Sequence, residues 1–227
     1  MIEKLVWDSD FFGYPVGRLE IGNSDQIQLI PFLEEGKKYK LIYLISEERL
    51  NVQIKNLQLV DVKTRLRKKI RTKFLTLDEN IGEYTGEQDD QLKKLALQSG
   101  IYSRFRIDAH FTNNEFEKLY VKWIEDSIKK TIADKVIVYK DDGKCNGFVT
   151  IKFKGDFTEI GLIAVDEQSR GNGIAKRLLN HAERIAVSNG FNKIEVVTQF
   201  ENLPAMSLYK NAGYQIISKK FIYHLWH

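Results

Sequence analysis

Cysteine is nearly missing. Cys145 stands alone among 227 residues, so the chain can form no internal disulfide, a usage that fits a reducing cytoplasm. Histidine is scarce, and the four present (His110, His181, His224, His227) are scattered with no metal-ligand spacing, which argues against a metal site. No apolar run approaches the roughly 18 residues needed to span a bilayer. Met1-Ile2-Glu3-Lys4-Leu5 carries no signal-peptide core, so a cytoplasmic protein without membrane insertion is expected. No short repeat and no low-complexity tract interrupts the chain. The composition is 43% hydrophobic and 29% charged with a mean hydropathy of −0.35, that of a folded globular protein. The net charge is +4, and part of the excess sits at Arg65-Leu66-Arg67-Lys68-Lys69-Ile70-Arg71-Thr72-Lys73. This run reads either as a polyanion site or as a solvated or edge strand. No aromatic residue interleaves it before Phe74, so the stacking platform of a nucleic-acid binder is lacking.

The most informative stretch is Glu159 to Asn189. Ile160, Leu162, Ile163, Ala164 and Val165 form an apolar run of strand length. Gln168-Ser169-Arg170-Gly171-Asn172-Gly173 follows, and Ile174, Leu178, Ala182, Ile185 and Ala186 then fall at helical spacing up to a stop at Asn189-Gly190. The helix therefore opens at two glycines. The first N–H groups of a helix have no internal partner and sit at the positive end of its dipole. Without a Cβ at Gly171 or Gly173, phosphate oxygens can approach that backbone. The GK[ST] ending of a P-loop and the G-x-G-x-x-G spacing of a dinucleotide fold are both absent. By itself the motif also fits an ordinary glycine turn between strand and helix.

Downstream, Lys193 to Thr198 reads as a second strand. A helix follows, with Asn202 before it, Pro204 in its first turn, Ala205 and Tyr209 inside it and Gly213 past its end; Tyr214 to Trp226 is strand-like. The order strand, Q-x-x-G-x-G helix, strand, N-x-x-A-x-x-x-Y helix, G-[FY], strand resembles the GNAT N-acetyltransferase superfamily. That resemblance implies an α/β (α+β) acyl-CoA N-acyltransferase fold, a central mixed splayed sheet flanked by helices, with a smaller N-terminal α/β domain.

Elsewhere a turn is expected at Phe11 to Pro15, strands at Val16–Ile21 and Lys40–Ser46, a helix over Gln26–Glu35, and an extended hairpin arm over Leu57–Ile70. The polar stretch Ile81–Gln91 reads as the link between residues 1–87, an acceptor-side domain, and 88–227, the acyl-CoA domain. Helices are expected over Asp89–Gln98 and Asn114–Ala133, the second with a capping box of Thr112 and Glu115 and a stripe of Phe116, Leu119, Tyr120, Trp123, Ile124 and Ile128. Lys135–Tyr139 and Gly147–Phe153 read as a hairpin turned at Asp142-Gly143, with Cys145 in it rather than in a cleft.

Trp7-Asp8-x-x-Phe11-Phe12-Gly13, and LALQSGIYSRFRID followed by FEKLYVKWIEDSI, are similar to the GNAT branch that acylates dTDP-amino-dideoxysugars for surface polysaccharide. The dTDP-fucosamine (dTDP-4-amino-4,6-dideoxygalactose) N-acetyltransferases belong to it. The resemblance implies acetyl-CoA, or another short acyl-CoA, as donor, no metal, no nucleic-acid partner, and a homodimer. Ile163, Ala164 and Val165 would offer unpaired backbone to the acyl carbonyl and pantetheine. Gln168, Ser169, Arg170, Gly171, Asn172, Gly173, Ile174 and Ala175 would take the CoA pyrophosphate, with Asn202 and Ala205 beside the pantetheine. Tyr209 would donate a proton to the departing thiolate. For the acceptor, Trp7, Phe11 and Phe12 would wall the thymine, and Ser103, Arg104 and Arg106 would hold the diphosphate. Each of those six fits packing or a surface ion pair as well. Glu159 and Asp166 flank the central strand, and neither is assigned as a general base. Two other readings stay open: a GNAT acting on a protein N-terminus or small amine, and a non-catalytic acyl-CoA-binding module.

Overall fold

A computed structural model describes residues 1–22, 34–71, 78–86 and 90–227. The helix expected over Gln26–Glu35 lies outside these except for Glu34 and Glu35, which are helical, and Thr72 and Lys73 of the basic run also lie outside.

The chain forms two compact units, Met1–Thr64 with Gln199–Glu201 and Ser218–His227, and Arg65–Thr198 with Asn202–Ile217. This differs from a division at residue 87. The cause is strand pairing, which no local signal reports.

In the first unit, β1 (Glu3–Lys4), α1 (Val6–Phe12), β2 (Val16–Ile21) and β3 (Leu41–Ser46) are joined by parts of β4 (Leu57–Lys69) and of the last strand. β2 runs parallel to β3 from Val16↔Leu41 to Ile21↔Ser46. The chain's last strand runs antiparallel to β3, from Phe221↔Ser46 to Trp226↔Leu41, so the C-terminus completes this sheet. LIYLIS is apolar on both faces because it lies between two strands and under side chains on both sides. Leu19, Ile21, Ile42, Leu44, Tyr223 and Leu225 are the heart of its core. The turn expected at Phe11–Pro15 is preceded by a short helix, which ends at Gly13 with φ 77°.

The second unit takes the rest of β4, then β5 (Ile81–Glu83), α2 (Asp90–Ser99), α3 (Arg104–Ile107), α4 (Glu115–Ile128), β6 (Lys135–Asp141), β7 (Lys144–Lys154), β8 (Phe157–Val165), α5 (Ile174–Ser188), β9 (Lys193–Gln199), α6 (Leu203–Asn211) and the start of β10 (Gln215–Trp226), whose later part belongs to the first unit. Ile81–Glu83, expected in a linker, pairs with β6 instead. β6 and β7 form the expected hairpin, whose Asp142 and Gly143 both take positive φ, as a tight turn matched to strand twist requires. α5 and α6 cover one face through Ile174, Leu178, Ala182 and Met206. α2 and α4 cover the other through Leu92, Leu95 and Ile124, packed on Val136, Val138 and Phe148. The capping box at Thr112 does not form: the N-cap is Asn114, and Glu115 accepts from the Asn113 N–H at 2.7 Å. α4 also stops at Ile128 rather than Ala133.

The basic run is engaged with carboxylates. Glu195, 1% exposed, holds Arg65 at 2.8 Å and Arg67 at 2.6 Å, and Lys68 sits 2.7 Å from Glu183 on α5. Replacing Arg65 and Arg67 together by Ala leaves Glu195 buried without its cations. The expected loss is about 3–5 kcal/mol of stability, measured by urea unfolding.

Candidate acyl-CoA site

Everything that shapes the site follows from β8. Its pairing with β9 runs through Thr158↔Ile194, Glu159↔Glu195 and Ile160↔Val196 and ends there, although both strands continue. The register with β7 slips between Val149 and Ile151, so Gly161 and Leu162 together oppose Thr150. The extra residue turns the strand's faces over. Ile160 and Ile163, three apart, pack in the same core, while Leu162 and Ala164 go to the other. Thr150 holds the bulge: its Oγ1 accepts from the Leu162 N–H at 2.8 Å, and a Cβ on Gly161 would meet that oxygen at 2.7 Å. Thr150→Val is expected to cost about 1–3 kcal/mol, seen as a lower urea midpoint, because an N–H is left without its partner.

Where β8 and β9 part, a cavity of about 440 Å³ opens. Ile163, Ala164 and Val165 form one wall, and Ser169, Arg170, Gly171, Gly173, Ile174 and Ala175 another. Asn202 and Ala205 line it from α6. The structure thus brings together eleven of the thirteen residues expected around the donor. Gln168 and Asn172 are not on the wall. The Gln168 N–H donates to Asp166 Oδ1 at 3.1 Å, and Asn172 Nδ2 donates to Ser169 O at 3.3 Å, so both brace the turn. Asn202 on the wall is also a helix cap: its Oδ1 accepts from the Ala205 N–H at 3.2 Å.

Five features of the turn suit an anion. α5 is 15 residues long and begins at Gly173 with no side-chain cap. Its backbone bonding starts at Arg177 N–H to Gly173 O, so the N–H groups of Ile174, Ala175 and Lys176 are left at the cavity. Gly171 and Gly173 hold φ of 84° and 73°, and nothing lies within 4 Å of where either Cβ would be. Lys176 joins the wall beside them. Arg170, finally, donates from Nε to Val165 O at 3.2 Å and from Nη2 to Gln98 Oε1 at 3.3 Å, both neutral acceptors.

Gln98, Ser99, Ile101, Tyr102, Lys176, Pro204 and Leu208 also line the cavity and were not anticipated. A helix end at Gln98 is expected from the sequence, but its approach to β8 is tertiary. Tyr209 does not line the cavity. It is 2% exposed, packed 5.6 Å from Tyr214, and lies one turn beyond Ala205 on the same face of α6. Burial pushes its phenol well above the ordinary value, so it is protonated at neutral pH.

The six acceptor candidates have partners within their own units. Trp7, 48% exposed, stacks on Phe11 at 5.0 Å, and Phe11 meets Phe12 edge-on. Ser103 caps α3, accepting from the Phe105 N–H. The Arg104 guanidinium lies over the Phe105 ring, and Arg106 pairs with Glu117 at 3.4 Å. Glu159 sits 3.9 Å from Arg65 and 3.6 Å from Lys154, and Asp166 is buried as the cap of the turn. Among the described residues no cluster of three or more His, Cys, Asp or Glu is arranged to hold a metal, and no helix is long and apolar enough to cross a membrane.

A sheet that splays beside an uncapped, glycine-opened helix defines an acyl-CoA-binding class, and comparison with known proteins agrees. The model of the acetyltransferase (GNAT) family matches residues 97–214, and the chain belongs to that family of acyl-CoA-dependent N-acyltransferases. It is 31% identical over 141 residues to N-alpha-acetyltransferase 30 of Saccharomyces cerevisiae, covering 61% of this chain and 76% of that one. A mycothiol acetyltransferase of Clavibacter michiganensis is 26% identical over 33% of this chain, and the match takes in 24% of that protein. In fold, the chain is similar to a putative GNAT-family acetyltransferase from Novosphingobium aromaticivorans (14% identity, 82% of this chain and 74% of that one, TM-score 0.55). It is also similar to a functionally unknown conserved protein from Staphylococcus epidermidis (13%, 94% and 84%, TM-score 0.60).

Proposed function

We propose that the protein transfers an acetyl or other short acyl group from acyl-CoA to an amine. The carrying observation is the uncapped start of α5 at Gly171 and Gly173, opening on a cavity walled by the free edge of β8. In this reading the N–H groups of Ile174–Lys176 and the Arg170 guanidinium hold the CoA pyrophosphate. The pantetheine follows Ile163–Val165, and an N–H of that edge polarises the thioester carbonyl. A neutral amine attacks the carbonyl carbon, a C–N bond forms, and the C–S bond breaks. The thiolate takes a proton, from Tyr209 in this reading, the new amide nitrogen loses one to solvent, and the phenolate regains one from solvent.

Two acceptors are in view. A dTDP-amino-dideoxysugar is supported by the resemblance of the Trp7–Gly13 and Leu95–Asp108 stretches and by the half-exposed, stacked Trp7. An N-terminal amine is supported by the likeness to the yeast N-alpha-acetyltransferase. The single buried cysteine suits a cytoplasmic enzyme, and the resemblance suggests a homodimer. A panel of dTDP-amino sugars and free-N-terminus peptides, crossed with short acyl-CoAs and followed by thiol release and product mass, tests the proposal. Thiol release with the sugars alone supports the first acceptor, and with the peptides alone the second. Thiol release with neither, despite calorimetric binding of acetyl-CoA, would leave only a binding module.

A further inference from the structure

α2 is strapped to the phosphate turn at two points. Gln91 Nε2 donates to Asp166 Oδ2 at 3.1 Å, and Gln98 Oε1 accepts from Arg170 Nη2 at 3.3 Å. The two glutamines are seven residues apart, two helical turns, and so share a face of α2 with Leu95, which is fully buried between them. Their partners are the first and last residues of the five-residue turn joining β8 to the glycines. Asp166 is itself pinned: its N–H donates to Asn146 O at 2.9 Å, its Oδ1 accepts from the Gln168 N–H, and its carbonyl accepts from the Ser169 N–H at 2.8 Å. Arg170 is held otherwise. Its acceptors at Nε and Nη2 are both uncharged, so an arriving phosphate is drawn to the remaining guanidinium donors while the bond from Nη2 to Gln98 stays in place.

The far end of α2 is the functional part. Gln98, Ser99, Ile101 and Tyr102 line the cavity, and the chain runs straight on into Ser103, Arg104 and Arg106. We propose that Gln91 and Gln98 are positioning residues that tie α2 and segment 99–108 to the phosphate turn, so that donor binding sets the acceptor side of the cavity. Gln91 is the fixed rung, on a buried carboxylate. Gln98 is the responsive one, on the cation that the phosphate recruits. This inference rests on reading the turn as the acyl-CoA phosphate site.

The test uses CoA itself as the probe, with binding read by calorimetry and backbone response by amide hydrogen exchange. In the wild type, CoA should slow exchange severalfold both at residues 168–176 and at 99–108. In a Gln91→Leu, Gln98→Leu variant that still binds CoA, slowing should persist at 168–176 and vanish at 99–108. A merely structural role would shift the melting temperature and leave the transmitted response in place. Slowing at 99–108 that survives in the variant, or is missing from a CoA-bound wild type, overturns this inference alone. No heat with CoA overturns the donor reading and this inference with it. Should the double variant not fold, Gln98→Leu alone, at a solvent-exposed bond, carries the same test with the same outcomes.

Discussion

Gly173→Val is expected to weaken acetyl-CoA binding roughly a hundredfold, ~2.7 kcal/mol, in a calorimetric titration. Two effects combine. Gly173 caps α5 at φ 73°, a backbone region that a β-branched residue enters only under strain. That strain costs about 1–2 kcal/mol of stability, a fall of about 2–8 °C in the thermal midpoint. The larger effect is on the ligand. A Cβ at Gly173 meets no protein atom within 4 Å, so the added side chain stands in the cavity, where the proposal puts the pyrophosphate. Binding should therefore fall far more than stability. A variant that folds and binds acetyl-CoA as the wild type does would remove the phosphate reading of the turn.

Tyr209→Phe is expected to lower kcat at least tenfold, about 1.4 kcal/mol of barrier, with little change in acetyl-CoA affinity. The phenol is buried on α6, one turn beyond Ala205, which lines the cavity. To act, it must reach the sulfur of a bound thioester. Burial holds its pKa above the unfolded value near 10, so the proton stays in place through the neutral and mildly alkaline range. The activity limb set by this group should be flat up to about pH 10. The stability sign runs the same way. A folded pKa raised above the unfolded one contributes stability that is complete below about pH 10 and is lost as the pH climbs through the folded value. Replacement by Phe should thus blunt alkaline unfolding. If that blunting appears while kcat is unchanged, Tyr209 is a packing residue only.

Much of the cavity wall was readable because its determinants are local. The apolar run ending at Val165, the two glycines and the periodicity of Ile174 to Ala186 are near neighbours in the chain, and each encodes its own backbone. The hairpin at Asp142-Gly143 and the first turn of α6 at Pro204 are of the same kind. The capping box at Thr112 was misplaced because Glu115 reaches the Asn113 N–H instead of serving a Thr112 cap. That choice depends on the left-handed Asn114, which short sequence patterns do not display.

Sequence alone determined most of the strands and helices, α1 and β5 excepted, and that a helix begins at a bare glycine turn, since backbone preference and apolar spacing act over a few residues. Tertiary structure alone decided that Phe221–Trp226 returns to pair with Leu41–Ser46, that β8 leaves β9 after Ile160, and that α2 reaches across to Asp166 and Arg170. Each of those depends on groups brought together from far apart in the chain, where partner and register are settled by packing and by the need to satisfy buried backbone.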